Sequence, residues 1–345
     1  MFSKCKAYVL KVDDDIIVRV RLTVKKMRRI LVTGATGQIG SELVPELRKI
    51  HGDENVVVGM HSRPPPSDLT VGPTENVDVT SKESLEKVVR KYDIDTVYHM
   101  AAILSAAGEK DPWLAWKVNM DGMYNVLEVG REHSMVRVFC PSSIAVFGPE
   151  TPRNETPQET ILRPQTMYGL TKVAGELLCN YYFSKFGLDV RGVRYPGIIS
   201  NKTLPGGGTT DYAVEIFYEA IKHGKYQCFL RKDSTLPMMY MPDCIKATID
   251  LMNVDLKKLK HHADFNLAAI SFSPKELADE IKRHMPKFTV TYKPDHRQAI
   301  ADSWPKSIDD SAAREEWLWK PSYDLQAMVK DMLEVLSEKH RQGKL

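Results

Sequence analysis

The sequence lacks several features that mark membrane-bound, secreted or nucleic-acid-binding proteins. No apolar run reaches the roughly 20 residues that a membrane-spanning helix needs, so we expect no membrane partner. The 48 basic and 45 acidic side chains nearly cancel, to a formal charge of +3. Because no stripe of interleaved aromatic and basic residues accompanies that small charge, we expect no nucleic-acid partner. Only five residues are cysteine, and none forms a C-x-x-C pair, which indicates reduced thiols and a cytosolic or matrix compartment.

What the chain does contain is the composition of a globular protein, with 43% apolar and 27% charged residues. At 345 residues it exceeds a typical single domain, so we expect one large domain or two unequal ones. Residues 1–28 form an N-terminal extension that is partly basic but carries Asp13-Asp14-Asp15. A transit peptide is nearly free of acids, so a targeting segment and an extension upstream of a natural start at Met27 both stay open.

A strand, a glycine turn and a helix follow one another directly after this extension. The apolar run at 30–32 predicts a buried strand, and Gly34, Gly37 and Gly40 follow it at intervals of three. Helix formers then occupy 41–50. In a dinucleotide-binding unit such glycines permit the tight turn, the approach of a pyrophosphate and close helix packing. The free N–H groups of the helix would face the phosphates.

Strand and helix patterns alternate regularly from there to about residue 195, which predicts an α/β, Rossmann-like, doubly wound parallel sheet. The further predicted strands are 56–59, 76–79, 96–100, 136–140 and 188–195; the predicted helices include 113–130, 168–186, 212–223, 243–252, 274–284 and 325–336. Thr80 and Glu83 fit a capping box. We therefore expect a dinucleotide-binding domain at 29–195 and, at 196–345, mainly a smaller substrate-binding lobe with interspersed helices.

The residues with the clearest chemistry are Tyr168 and Lys172, which lie four apart on one predicted helix and so face the same way. An ammonium beside a phenol favours the phenolate, which makes a general base for removing a proton from an alcohol. Tyr218 and Lys222 repeat the spacing by chance. Only the first pair follows a strand-end serine, Ser143, which can hydrogen-bond the same substrate oxygen.

The glycine turn, Ser143 and Tyr168-Gly169-Leu170-Thr171-Lys172, in this order, resemble the extended short-chain dehydrogenase/reductase family from Met27 to about Lys320. The resemblance implies hydride transfer at a nicotinamide, with Ser143, Tyr168 and Lys172 as catalytic residues and Lys172 also holding the ribose. The cofactor-binding residues that it implies are Gly34, Thr36, Gly37, Gln38, Ile39, Gly40, Ser62, Arg63, Asp78, Val79, Ala101, Ala102, Asn119, Tyr168, Lys172 and Tyr195. Asp78 and Asn119 are equally well interpreted as polar anchors of the core.

The choice of cofactor depends on the end of the second strand, where the family usually places an acid that binds the adenosine ribose. Here the chain reads Met60-His61-Ser62-Arg63, with no carboxylate, and Arg63 would suit the 2′-phosphate of NADP. We predict NAD, on the closer resemblance that follows.

Three segments resemble members of the family that oxidise the side-chain hydroxyl of L-threonine to 2-amino-3-ketobutyrate. They run from Leu204 to Ala213, from Arg163 to Gly169 and from Ala301 to Pro305. The substrate-binding residues expected on this basis are Ser105, Ser143, Arg153, Tyr168, Thr209 and Trp304, with Arg153 pairing the carboxylate. Three structural alternatives stay open: a solvated charge for Arg153, a helix cap for Thr209 and plain packing for Trp304.

Other functions and assemblies also stay open. A nucleotide-sugar epimerase or dehydratase of the same family would use the same catalytic residues, and a catalytically idle NAD-sensing protein would retain the fold. A zinc-dependent mechanism is rejected and no metal is predicted, because His261-His262 and the scattered cysteines supply no ligand cluster. The resemblance further implies a homodimer through the helices of Trp113 and Tyr168, and a mitochondrial matrix location with the cytosol as the alternative. The loop after Gly206 suggests a lid.

Overall fold

The computed structural model describes residues 28–62, 64–204, 206 and 208–345, so the predicted extension lies almost wholly outside the described residues. The strands of the described chain are short: β1 (Ile30–Thr33), β2 (Val56–Met60), β3 (Thr74–Asn76), β4 (Thr96–His99), β5 (Arg137–Phe139), β6 (Ser142–Ser143), β7 (Val190–Arg191), β8 (Val193–Tyr195), β9 (Gly197–Ile199), β10 (Lys225–Cys228), β11 (Leu236–Tyr240), β12 (Phe265–Asn266), β13 (Ile270–Phe272) and β14 (Thr289–Tyr292).

The helices alternate with these strands as far as β8 and dominate the second half. They are α1 (Gly40–His51), α2 (Lys82–Tyr92), α3 (Ser105–Lys110), α4 (Pro112–Trp116), α5 (Gly122–Glu132), α6 (Met167–Phe186), α7 (Tyr212–His223), α8 (Met241–Asn253), α9 (Pro274–His284), α10 (Arg297–Asp302), α11 (Ser311–Trp317) and α12 (Leu325–Arg341). None of the helices in the described part of the chain combines the length and the apolar character that crossing a lipid bilayer requires.

The central sheet has six strands in the order β3-β2-β1-β4-β5-β7, and every pairing in it is parallel. After β1 the chain moves outward through β2 and β3, then returns to add β4 on the other side of β1. The order therefore reverses between β1 and β4, and a crevice opens at their carboxyl ends. This confirms the predicted Rossmann-like fold and places the turn after Thr33 beside the residues after His99.

Two hydrophobic clusters cover the two faces of this sheet. On one face α1 packs with α8 and with Trp317 and Trp319 from near the end of the chain. On the other face lie α2, α5 and α6. Both faces of β1 are buried as a result, which explains why residues 30–32 are apolar without alternation.

A third hydrophobic cluster forms the second lobe, from α7, α9 and α12 with the strands β9, β11 and β13. It also takes in residues 144–147 from the first half, while α8 returns to the sheet. The two parts of the chain are thus interleaved, and the predicted boundary at residue 195 stays a prediction.

Several predicted elements differ in detail. Ser142 and Ser143 do not end β5 but form β6, which pairs with β8 in a separate three-stranded sheet. The helix predicted at 113–130 is interrupted by a π-helical turn, Lys117–Asp121. Ser81, not Thr80, caps α2, since its hydroxyl accepts the Ser84 N–H while the Thr80 hydroxyl donates to Asp78.

Candidate active site

The glycine turn is pressed against the end of β4. Gly34 has a φ of +63°, and a Cβ there would lie 2.5 Å from the Ala101 nitrogen, so no other residue fits without displacement. A Cβ at Gly40 would lie 2.5 Å from the Gly34 carbonyl oxygen. The predicted residues Thr36, Gly37, Gln38 and Ile39 therefore form a compact turn at the amino end of α1.

This turn carries unused hydrogen-bond donors. The Nε2 atom of Gln38 is buried and has no partner among the described residues. At the start of α1, Ile39 offers no side-chain cap. The Ser41 and Glu42 N–H groups bond to the Gly37 and Ile39 carbonyls, and the positive end of the helix dipole lies at the turn. An anionic pyrophosphate suits both features, and the turn therefore fits a dinucleotide.

The end of β4 supplies the floor of the crevice. His99 is buried, and its Nδ1 atom lies 2.9 Å from the Thr33 hydroxyl. Burial, assisted by the nearby charge of Lys172, lowers the pKa of His99 to about 3. The ring is therefore neutral at ordinary pH and adds no second cation beside Lys172. Ala101 and Ala102 follow, half-buried at the crevice.

Asn119, which lies in the π-helical turn, holds the next loop in place. Its Oδ1 atom accepts the Ile103 N–H at 2.8 Å, and its Nδ2 atom donates to the Ile103 carbonyl and to the Thr171 hydroxyl. Both N–H groups of the amide are used within the protein. Asn119 thus connects the loop after β4 to α6, which agrees with its interpretation as a polar anchor of the core. Its contact with a cofactor stays a prediction.

The remaining predicted cofactor residues are Ser62, Arg63, Asp78, Val79 and Tyr195. A hydrogen bond from the Thr80 hydroxyl lowers the pKa of Asp78 against the effect of burial, so the carboxylate stays charged. Val79 is buried against Gly122, and Ser62 is exposed. Arg63 lies outside the described residues. Tyr195 is in the core and its hydroxyl is paired with Thr248, so its predicted cofactor contact has no free side-chain donor to support it.

Tyr168 and Lys172 lie on the first two turns of α6, facing the end of β5. Lys172 Nζ donates to the Pro141 carbonyl at 2.6 Å and lies 5.5 Å from the centre of the Tyr168 ring. Lys172 is buried and Tyr168 is half-buried, so their charges would interact with little screening. Ser143 accepts the Ala145 N–H at 3.2 Å and keeps its own hydroxyl proton for another acceptor.

A glycine brings this helix close to Ser143. A Cβ at Gly169 would lie 2.3 Å from the Ala145 carbonyl oxygen and 2.5 Å from Pro164 Cβ. The amino end of α6 thus packs directly on the segment that follows Ser143. The Thr166 hydroxyl caps the helix through the Gly169 N–H, which fixes the turn that carries Tyr168.

A buried ion pair that lies next to Lys172 on α6 was not predicted from the sequence. Glu176, one turn beyond Lys172, accepts two hydrogen bonds from Arg194, at 2.9 and 2.8 Å, and one from the Ser142 hydroxyl at 2.5 Å. Burial raises the pKa of Glu176, although Arg194 opposes that effect. Lys172 and Glu176 thus hold the segment before Ser143 from one side. A Glu four residues after the lysine was the only signal in the sequence.

Arg153 lies in a segment that pairs with residues 306–308, near the end of the chain. Thr156 forms a parallel bridge with Ile308, and the Arg153 carbonyl accepts the Lys306 and Ser307 N–H groups. Its Nη1 atom donates to the Asp302 carbonyl at 2.5 Å, and its Nε atom is buried with no partner among the described residues. Arg153 is therefore not a solvated loop charge.

Three other predicted substrate residues, Ser105, Thr209 and Trp304, are buried. Thr209 is 1% exposed, and its hydroxyl has no hydrogen-bond partner in the described chain; it does not cap α7. Trp304 is buried in the same cluster against which Tyr168 packs, so the packing alternative holds for at least part of its ring. Ser105 is buried at the start of α3.

The second tyrosine–lysine pair shows how little spacing alone specifies. Lys222 Nζ lies 5.8 Å from the Tyr218 ring, almost as in the first pair. Tyr218 is buried in the core of the second lobe. Among the residues that the structure describes, no group of three His, Cys, Asp or Glu side chains is placed to hold a metal ion.

Comparison with known proteins identifies the family of the chain. A model of the NAD dependent epimerase/dehydratase family matches residues 30–268, and the chain belongs to that family. Its cofactor is NAD, as predicted. An epimerase/dehydratase of Staphylococcus haemolyticus is 51% identical over 91% of this chain and 99% of its own length.

Two solved structures show which members of the family the chain resembles. L-threonine dehydrogenase from Phytophthora infestans is 54% identical, with a TM-score of 0.87, over 90% of this chain and 99% of its own. A monomeric L-threonine 3-dehydrogenase from a metagenome is 48% identical, with a TM-score of 0.86, over 90% and 99%. The chain is therefore similar to L-threonine dehydrogenases within the family. The bacterial relative gives no support to the predicted mitochondrial location.

Proposed function

We propose that this protein oxidises the side-chain hydroxyl of L-threonine to 2-amino-3-ketobutyrate with transfer of hydride to NAD. The observation that carries the proposal is similarity over nearly the whole length to structures of L-threonine dehydrogenases, at up to 54% identity. The arrangement of Tyr168, Lys172 and Ser143 supports the same reaction from chemistry alone.

Each catalytic residue has a distinct task in this reaction. Tyr168 accepts the hydroxyl proton as the hydride leaves the substrate Cβ, and Lys172, held by the Pro141 carbonyl, stabilises the phenolate. Ser143 donates its hydroxyl proton in a hydrogen bond to the substrate oxygen. NAD supplies the hydride acceptor when it is bound. Neutral His99 leaves Lys172 as the cation beside the phenol.

An amino-acid substrate also needs partners for its charged ends when water is excluded. Arg153 has a buried Nε–H with no partner in the described chain, and Thr209 has a buried hydroxyl in the same condition. Buried polar groups of folded proteins are normally hydrogen bonded. We assign Arg153 to the substrate carboxylate, with Thr209 and Ser105 beside it, and Trp304 to the wall that excludes water.

The test measures NADH formation by absorbance with purified protein, NAD and L-threonine, with NADP and nucleotide sugars as comparisons. Tyr168→Phe should lower turnover by roughly 10²–10⁴-fold, the usual contribution of a general base, and leave NAD binding intact. Tyr218→Phe, in the other tyrosine–lysine pair, is the matched control and should keep full activity. Turnover of a nucleotide sugar with none of L-threonine would instead establish the epimerase or dehydratase alternative.

We also propose that the protein forms a homodimer through one apolar face of α4, α5 and α6. The residues of this face are exposed despite their size: Trp113, Leu114, Trp116, Tyr124, Leu170, Leu177 and Tyr181. Trp113 is 83% and Leu177 67% exposed, and such a contiguous patch usually marks an interface.

Sedimentation of the purified protein tests this assembly. Leu177→Glu should yield monomers, and Ile50→Glu, the same apolar-to-charged exchange on another exposed surface, should not. A wild-type protein that sediments as a monomer, like the metagenomic relative named as one, would end the proposal.

A further inference from the structure

Arg153 is held by a second set of polar residues that the catalytic scheme does not use. Asp302 ends α10, and its carboxylate receives a forked pair of hydrogen bonds from Arg231, at 2.9 and 2.6 Å. Gln298 lies one turn earlier on the same helix, and its side-chain amide donates to the same carboxylate at 2.9 Å. Its side-chain oxygen accepts the main-chain N–H of Arg231 at 2.7 Å. We name Arg231, Gln298 and Asp302 the carboxylate clamp.

The clamp is connected to Arg153 through the main chain. The carbonyl of Asp302 accepts the Nη1–H of Arg153 at 2.5 Å, so fixing Asp302 also fixes one end of the guanidinium. The Nε–H at the other edge of the same plane is left for a further acceptor. A guanidinium binds a carboxylate well only when its planar donors are already oriented.

The negative charge of Asp302 affects which anions the Arg153 guanidinium can bind. Burial raises the pKa of Asp302, but the hydrogen bonds from Arg231 and Gln298 outweigh that effect and lower the pKa overall. The positive charge of Arg153 lowers it further, by a smaller amount, so Arg153 and the Asp302 carboxylate attract each other. A carboxylate of the protein so near Arg153 competes with a carboxylate of the substrate for the same cation. Arg231 donates two charged hydrogen bonds to the Asp302 carboxylate. With these bonds in place, the carboxylate is held toward Arg231 and not toward Arg153.

We propose that Arg231 is a positioning residue for substrate binding, because it holds the Asp302 carboxylate away from Arg153 and leaves Arg153 free for the carboxylate of the amino-acid substrate. The inference rests on the proposed function. Arg231 itself is half-exposed, and in this proposal it acts on the substrate only through Asp302.

Steady-state kinetics of Arg231→Ala test the proposal. The KM for L-threonine should rise about tenfold, as expected for one weakened charged hydrogen bond, while kcat and the KM for NAD stay within about twofold. Arg231→Lys, which keeps the charge without the fork, should show an intermediate rise. Arg283→Ala removes an exposed arginine of α9 from its pair with Glu280 and should change none of these three constants.

Two further measurements separate positioning from a general structural effect. L-Threonine amide lacks the carboxylate, so Arg231→Ala should leave its KM unchanged. Adding Asp302→Asn to Arg231→Ala removes the competing charge and should restore most of the affinity for L-threonine. Equal increases of KM for L-threonine and its amide, or no recovery in the double variant, would overturn the proposal.

The same experiments distinguish failure of this inference from failure of the proposed function. A wild-type protein without L-threonine turnover overturns both, whereas an active wild type with an unchanged Arg231→Ala KM overturns this inference alone. If Arg231→Ala does not fold, Arg231→Lys gives the same comparison between the two substrates.

Discussion

Replacing Gly169 by alanine should lower both stability and turnover, although alanine is the better helix former. In a helix the exchange gains at most about 1 kcal/mol. The new Cβ, however, would lie 2.3 Å from the Ala145 carbonyl oxygen, where ordinary contact begins at 3.4 Å. The two nearest atoms belong to the backbone and to the ring of Pro164, and neither can rotate away. Helix α6 must therefore move by roughly 1 Å, and such overpacking costs about 1–3 kcal/mol.

The steric cost therefore outweighs the gain, and we expect a net loss of about 1 kcal/mol in the free energy of unfolding, measured by urea denaturation with tryptophan fluorescence. The displacement also moves Tyr168 away from Ser143. A misplacement of about 1 Å costs roughly 10²-fold in rate, so kcat for L-threonine should fall by that order.

Gly175→Ala is the matched control in the same helix. Its Cβ would meet only the flexible end of Met123, at 3.0 Å, which can shift at little cost. The variant should be at least as stable as the wild type and fully active. A Gly169→Ala protein with undiminished stability and turnover would refute the view that close approach of α6 to the Ser143 segment sets the site.

Three further predictions concern buried polar groups. His99 has a folded-state pKa of about 3 against 6.5 unfolded, so its share of stability is complete above about pH 7 and declines as the pH falls, by about 2 kcal/mol at pH 5; in His99→Gln this part of the pH dependence should vanish from urea titrations. Arg194→Met leaves Glu176 buried without its cation, which should cost about 3–5 kcal/mol at neutral pH. The cost should be smaller at lower pH, because burial raises the pKa of Glu176 and a protonated carboxyl needs no cation. A Glu176→Gln/Arg194→Met protein should recover most of the loss in thermal denaturation. Ser81→Ala removes the helix cap of α2 and should cost about 1 kcal/mol in the same assay.

The local patterns of the sequence predicted most of the fold. The glycine turn after β1 and the tyrosine–lysine spacing on α6 depend on residues within one or two turns of one another. For the same reason the bounds of α7 and α9 agree with the sequence prediction at both ends. Apolar periodicity is a property of a single element, so it can be read without knowing which other element covers it.

Most of what the sequence did not reveal depends on long-range contacts. Arg153 bonds to Asp302 across 149 residues of sequence, and no local pattern around either residue predicts this contact. The Glu176–Arg194 pair joins a helix to a strand, and no period marks a buried charge. The π-helical turn escaped for a local reason, since a single wide turn barely disturbs a 3.6-residue apolar pattern. Ser81 and Thr80 are equally good caps by type, and only the bond of Thr80 to Asp78 decides between them.

The return of α8, Trp317 and Trp319 to the face of the first strand has a consequence for synthesis of the chain. Ile30 and Val32 leave the ribosome early and α1 follows them directly, but α8 emerges more than two hundred residues later and Trp317 almost three hundred residues later. The nascent half-sheet therefore exposes a broad apolar surface through most of translation, a condition that favours aggregation and recruitment of chaperones. Ribosome-bound chains that stop before Trp317 should accordingly remain chaperone clients, and chains that extend past Trp319 should be released.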